Sequence, residues 1–145
     1  LGCDLKTADE AVKRFINKYP GLKRLKEVII PADAKRGFFI GLDGRRVPCT
    51  SKHLMLAGYL QNGEACIMKH ALRIWMDEAT KAGLKFTVRN FVHDEFQTTC
   101  YGTKEDAEKL GTIQANAIAT IGEIFKLRCP LLGNSKQGFN WLDTH

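Results

Sequence analysis

Two runs of strand-forming residues, Phe86 to Val92 and Phe96 to Tyr101, stand either side of His93, Asp94 and Glu95. Such runs call for a sheet, and so short a polar interruption calls for the chain to turn straight back. The two strands are therefore expected to pair as a hairpin with His93-Asp94 near its tip. Neighbouring carboxylates repel, and burying an unpaired one costs several kcal/mol or forces it to take up a proton. A divalent cation removes that penalty. The segment thus reads as a candidate metal site on a sheet, for which phosphate chemistry is the usual reason.

Successive side chains of a regular strand point to opposite faces, so Asp94 and Glu95 can share one ion only if the turn interrupts the alternation. Asp94 is the favoured ligand, because Phe91 and Phe96 bracket a turn centred on it. The competing reading is an ordinary polar hairpin tip. A two-metal site also needs a second carboxylate, and Asp4, Asp9, Asp106 and Asp143 all fall at expected helix ends or in the tail. His93 can be a proton shuttle, a metal ligand, a phosphate contact or an idle turn residue. Two adjacent carboxylates favour its charged form, which suits an anion better than a soft metal.

The rest of the pattern predicts an α+β unit. Thr7 to Glu10 has the form of a capping box opening a helical segment over about 8–31, with Pro20-Gly21 as an interruption. Phe38 to Leu42, Asp43-Gly44 and Arg45 to Val47 read as a hairpin. Helices are expected over about 51–82 and 104–126, the second opened by Thr103 to Asp106, with a last strand near Leu127 to Leu132. In the first of these helices Gln61 interrupts an apolar stripe of Leu54, Ala57, Ala65, Met68, Leu72 and Trp75. It is either a buried amide bonded to backbone or a contact to base edges in a minor groove. Gly58 and Gly63 flank it and admit a close neighbour. Arg45 and Arg46 are either phosphate contacts or a solvated basic pair.

The 145 residues suffice for one domain, and the formal charge of +6 is compatible with a polyanionic partner. Five widely spaced cysteines without a C-x-x-C argue for a reducing compartment and against a disulfide framework or structural zinc. No apolar run approaches a membrane span and no signal peptide is visible, so a cytoplasmic location is expected. The chain opens on Leu1 rather than Met, which fits lost residues or a piece of something longer.

Several of these segments together resemble the C-terminal part of the family A DNA polymerases, the bacterial DNA polymerase I group and its phage relatives. The resemblance rests on Val92-His93-Asp94-Glu95, on Leu42-Asp43-Gly44-Arg45-Arg46, and on the long helix around Leu60-Gln61. It continues through Asn140-Trp141 with the terminal His145, and Tyr19-Pro20-Gly21 matches the bacterial members. These motifs fall in the family's order and cover nearly the whole chain.

The resemblance implies a palm-type antiparallel sheet. Residues 1–36 would be the end of the fingers and 37–145 the C-terminal palm portion. It implies Asp94 as a ligand shared by two Mg²⁺ ions, with Glu95 in support. His93 would lie against the primer end, Gln61 in the minor groove, His53 on the template, and His145 near the active site. Ala57 stands where the family often has Asn, so that contact is lost.

The family's first metal aspartate and the fingers helix that grips the deoxynucleoside triphosphate are not found. On this reading the isolated chain is inactive and the rest of the polymerase lies in the same or a separate chain. The partners implied are a DNA primer-template and, through the missing fingers, a deoxynucleoside triphosphate, with no membrane. A non-catalytic basic DNA-binding module and the small subunit of a split polymerase are the alternatives.

Overall fold

The first helix begins at a carboxylate. Asp4 accepts a 2.7 Å hydrogen bond from the Thr7 amide, and that amide holds the Asp4 carboxyl below the usual range. Helix α1 therefore spans Leu5–Lys18, three residues ahead of the expected start at residue 8. Asp4 is the cap, and Thr7 lies inside the helix. The computed structural model describes Gly2 and residues 4–144, and the chain divides into two compact units, Leu1–Gln61 and Asn62–His145.

In the first unit Pro20 opens helix α2, Pro20–Arg24, where its missing N–H is no loss. A π-helical turn, Leu25–Ile29, and helix α3, Ile30–Arg36, then carry the chain through Pro31. The helical segment, expected to end near residue 31, runs on to Arg36. Pro31 falls in the first turn of α3, and the wide turn before it makes room for the ring. Gly37 ends α3 with a φ of 81° that an L side chain would resist.

Strands β1, Phe38–Ile40, and β2, Arg46–Pro48, pair antiparallel as the Asp-Gly signal predicts. Gly44 supplies the positive φ, at 81°. Ile30, Phe39 and Met55 form the core, with Val47, Leu56 and Tyr59 packed around them. Phe39 stacks on Tyr59 at 4.2 Å, and Gly58 allows it, since a Cβ there would stand 3.3 Å from the Phe39 ring. Gly63 has no such neighbour.

Helix α4, Lys52–Lys81, contributes its start to the first unit and its remainder to the second. In the second unit Ala71, Trp75 and Ala79 meet Leu110, Ala117 and Ile121. The last three come from helix α5, Lys104–Ile124, which opens on the expected capping box. There Asp106 accepts from the Thr103 amide at 3.0 Å and Thr103 Oγ1 accepts from the Asp106 amide at 3.2 Å. Strands β3, Phe86–Val92, and β4, Glu95–Cys100, form the predicted antiparallel hairpin. Phe86 and Phe96 pack on Trp75 with centroids 5.2 and 5.7 Å away, which fixes the hairpin to the helices.

No strand forms over residues 127–132, contrary to expectation. Pro130 lacks a donor, and α5 already gives this segment an apolar seat. Leu131 lies over Gly122, and Gly133 lies so close to Ala115 that a Cβ would stand 2.7 Å from its Cα. Ser135 and Gln137 lie over Gly111. Small residues on one face of α5 thus form a shallow track for an extended return, after which helix α6, Trp141–Thr144, ends the described chain.

Candidate functional site

The hairpin turn consists of His93 and Asp94 alone, since Val92 pairs with Glu95. A two-residue turn that matches the strand twist needs positive φ at its first position, and His93 takes it, at 51°. Most side chains resist that region, so the histidine carries backbone strain of about 1–2 kcal/mol that glycine would not. Glu95 already lies in β4, half-buried, and accepts a 2.9 Å hydrogen bond from Gln97 Nε2 two residues on.

Asp94 stands exposed at the tip. The argument from a buried carboxylate pair therefore fails: an exposed Asp94 carries no burial penalty for an ion to remove. What survives is the geometry. The turn does break the strand alternation between Asp94 and Glu95, as sharing an ion would require. Among the described residues no group of three His, Cys, Asp or Glu side chains could hold a metal. The oxygen donors at 94 and 95 suit Mg²⁺ chemically but complete no site for it.

On the face of the hairpin, Arg89 sits where the β3–β4 register shifts between Val88 and Asn90. Its guanidinium reaches Thr99 Oγ1 at 2.9 Å and the Tyr101 hydroxyl at 2.7 Å. Such a bulge adds twist near a hairpin end.

The other residues expected to act lie in the first unit. His53 is exposed in the first turn of α4, and Gln61 is exposed further along it. Gln61 is thus no buried amide. Leu54, 63% exposed, and Ala57 share that outward face, whereas Met68 and Trp75 on the predicted stripe are buried in the second unit. Arg45 is tied to the Asp43 carboxylate within its own hairpin. Arg46 instead lies 5.0 Å over the Phe38 ring, which Arg36 also covers at 5.2 Å. His145 lies outside the described residues.

Sequence reasoning missed the Asp33 network. Asp33 is 5% exposed, pairs with Arg36 and accepts from the Tyr59 hydroxyl. Burial, and then the Asp33 hydrogen bond, push the Tyr59 phenol up to about 12. An aspartate three residues before an arginine was the available signal, obscured because the helical segment was expected to end near residue 31.

No protein-family model matches the chain. The DNA-directed DNA polymerases of Enterobacteria phage T3 and Escherichia phage T7 are each 28% identical to it over 165 aligned positions spanning the whole chain. That of Escherichia phage Phieco32 is 29% identical over 77% of it. The chain spans 23% of the length of the T3 and T7 relatives. In fold it is similar to the POL domain of Pol1 from M. smegmatis, solved with DNA primer-template and dNTP. That likeness has a TM-score of 0.70 at 16% identity and covers 81% of this chain and 23% of the other. Aligned over its whole length, the chain is homologous to the C-terminal part of the phage DNA-directed DNA polymerases.

Proposed function

We propose that this chain supplies one metal carboxylate and part of the primer-template surface for nucleotidyl transfer by a family A polymerase. The observation that carries the reading is the exposed Asp94 on a two-residue hairpin tip, within a chain that aligns end to end with polymerases. In this reading residues 1–36 end the fingers and 37–145 belong to the palm. The remaining carboxylate and the triphosphate-gripping residues come from the rest of the polymerase, in the same or a separate chain.

Asp94 would hold Mg²⁺ together with that second carboxylate, and Glu95, restrained by Gln97, would support it. The bound ions would supply Lewis-acid activation of a primer 3′-hydroxyl and charge neutralisation at the triphosphate. The chain's own residues orient the DNA. His93 presents its imidazole beside Asp94 to the primer-end backbone. Gln61 offers a sequence-independent amide to minor-groove acceptors. His53 and Arg46 meet phosphates, and Arg45, already paired with Asp43, contributes less charge.

The test is reconstitution. The chain combined with the preceding polymerase segment should extend a primer in Mg²⁺, and Asp94→Ala should remove extension while leaving primer-template binding intact. Full extension by Asp94→Ala refutes the metal role. A second reading, a DNA-binding module without catalysis, is favoured by one observation: the net charge lies wholly in residues 1–61. Binding that ignores Mg²⁺, with no extension after reconstitution, would select it.

A further inference from the structure

Among the described residues Asp33 is the one buried charged side chain, and the chemistry proposed above gives it no role. It lies one turn after Ile30 on the inward face of α3 and is 5% exposed. Its two oxygens take different partners. Oδ1 accepts from the Arg36 guanidinium on the same helix, and Oδ2 accepts from the Tyr59 hydroxyl on α4. Arg36 offsets the charge, so what the carboxylate adds is a directed tie from α3 to α4.

The other contacts around this tie are apolar and set no direction. Ile30, Phe39 and Met55 pack together, and Tyr59 stacks on Phe39 at 4.2 Å. Such contacts reward burial without fixing an angle. Gly58 meets the Phe39 ring without a Cβ, so no side chain keys the helix there. A hydrogen bond does fix an angle, because it weakens steeply when misaligned. If α4 turns about its axis, the Tyr59 hydroxyl leaves Oδ2, and a buried carboxylate oxygen loses its partner.

That angle decides where Gln61 points. Gln61 follows Tyr59 by two residues, about 200° round the helix, so it faces outward where Tyr59 faces in. A turn of ~20° would move a side-chain end about 6 Å from the axis by about 2 Å, more than a hydrogen bond tolerates.

We propose that Asp33, acting through Tyr59, is a positioning residue that sets the direction in which α4 presents Gln61 to DNA. The proposal rests on the reading of Gln61 as a minor-groove contact and adds the group that aims it.

Fluorescence anisotropy of the full chain on a labelled primer-template tests it as a double-mutant cycle. Tyr59→Phe keeps the ring on Phe39 and deletes the hydroxyl. It should weaken binding about fivefold, the order of one hydrogen bond. In a Gln61→Ala background the same change should cost less than about twofold, because the amide it aims is gone. Asp33→Ala should match Tyr59→Phe. Asp33→Asn keeps an acceptor for the hydroxyl and should bind within about twofold of the parent. Hydrogen exchange gives a second readout without DNA. Tyr59→Phe should speed exchange of the amides from Leu56 to Gln61 and leave those of α5 unchanged.

Equal losses in the parent and Gln61→Ala backgrounds, or no loss in either, overturn the proposal. So does exchange that rises throughout the chain or nowhere. A Gln61→Ala variant that binds as well as the parent refutes the minor-groove reading instead, and the exchange pattern then decides the tie by itself.

Discussion

Trp75 carries the hairpin that ends in Asp94, and two substitutions there separate packing from polarity. Its side chain is fully buried between Phe86 and Phe96, yet among the described residues the indole Nε1 has no hydrogen-bond partner. Trp75→Ala removes the whole ring from a close-packed core and should cost about 3–5 kcal/mol. Trp75→Phe removes three ring atoms, and the two carbons among them are worth about 1–2 kcal/mol at ~0.8 kcal/mol per methylene equivalent. It also deletes a buried, unpaired N–H whose desolvation costs about 1–3 kcal/mol. The two effects nearly cancel, so the Phe variant should lie within about 1 kcal/mol of the parent.

Urea denaturation followed by far-ultraviolet circular dichroism reads the difference. With a slope of about 2 kcal/mol per molar, the Ala variant should lose about 1.5–2.5 M in midpoint and the Phe variant less than about 0.5 M. Hydrogen exchange of the amides from Phe91 to Phe96 should accelerate only in the Ala variant, because Phe96 loses its platform. A Phe variant as unstable as the Ala variant would refute the reasoning, since the indole would then owe its place to its N–H.

Three further outcomes are expected. His93→Gly relieves the positive φ and should stabilise the hairpin by up to about 1 kcal/mol in the same denaturation assay, so any loss of primer-template binding reports the imidazole. Gly133→Ala drives a Cβ into the Ala115 backbone and should cost about 1–3 kcal/mol, seen as faster proteolysis of the tail after Leu131. Tyr59 should ionise near pH 12 in ultraviolet titration. Its folded pKa is raised, so its stabilisation is complete below the unfolded value of 10.0 and is lost as pH climbs towards about 12. Tyr59→Phe should flatten that alkaline loss.

The strongly periodic and turn-coded parts were legible in the chain itself. Asp43-Gly44 announces a hairpin because glycine alone accepts its φ without cost, and Thr103 with Asp106 announces a helix start because both side chains satisfy amides locally. The hairpin ending at His93-Asp94 follows from two apolar runs with too few residues between them for any other connection. These are interactions within a few residues, and so they are written in order along the sequence. Even the resemblance to polymerases rests on such short runs.

Tertiary structure decided the rest, because it depends on which distant groups meet. Residues 127–132 have the composition of a strand, but among the described residues they pair with none, and small residues on α5 offer them a seat instead. Pro31 would break an isolated helix, yet a π turn accommodates it while Ile30 packs against Phe39 and Met55. Gln61 sits in an apolar stripe on paper, but the neighbouring helix face is exposed, so the amide points to water. Asp94 looked like a charge in need of an ion until the fold placed it at a solvated tip. Burial is a property of the whole packing, and a sequence records only what each segment could bury.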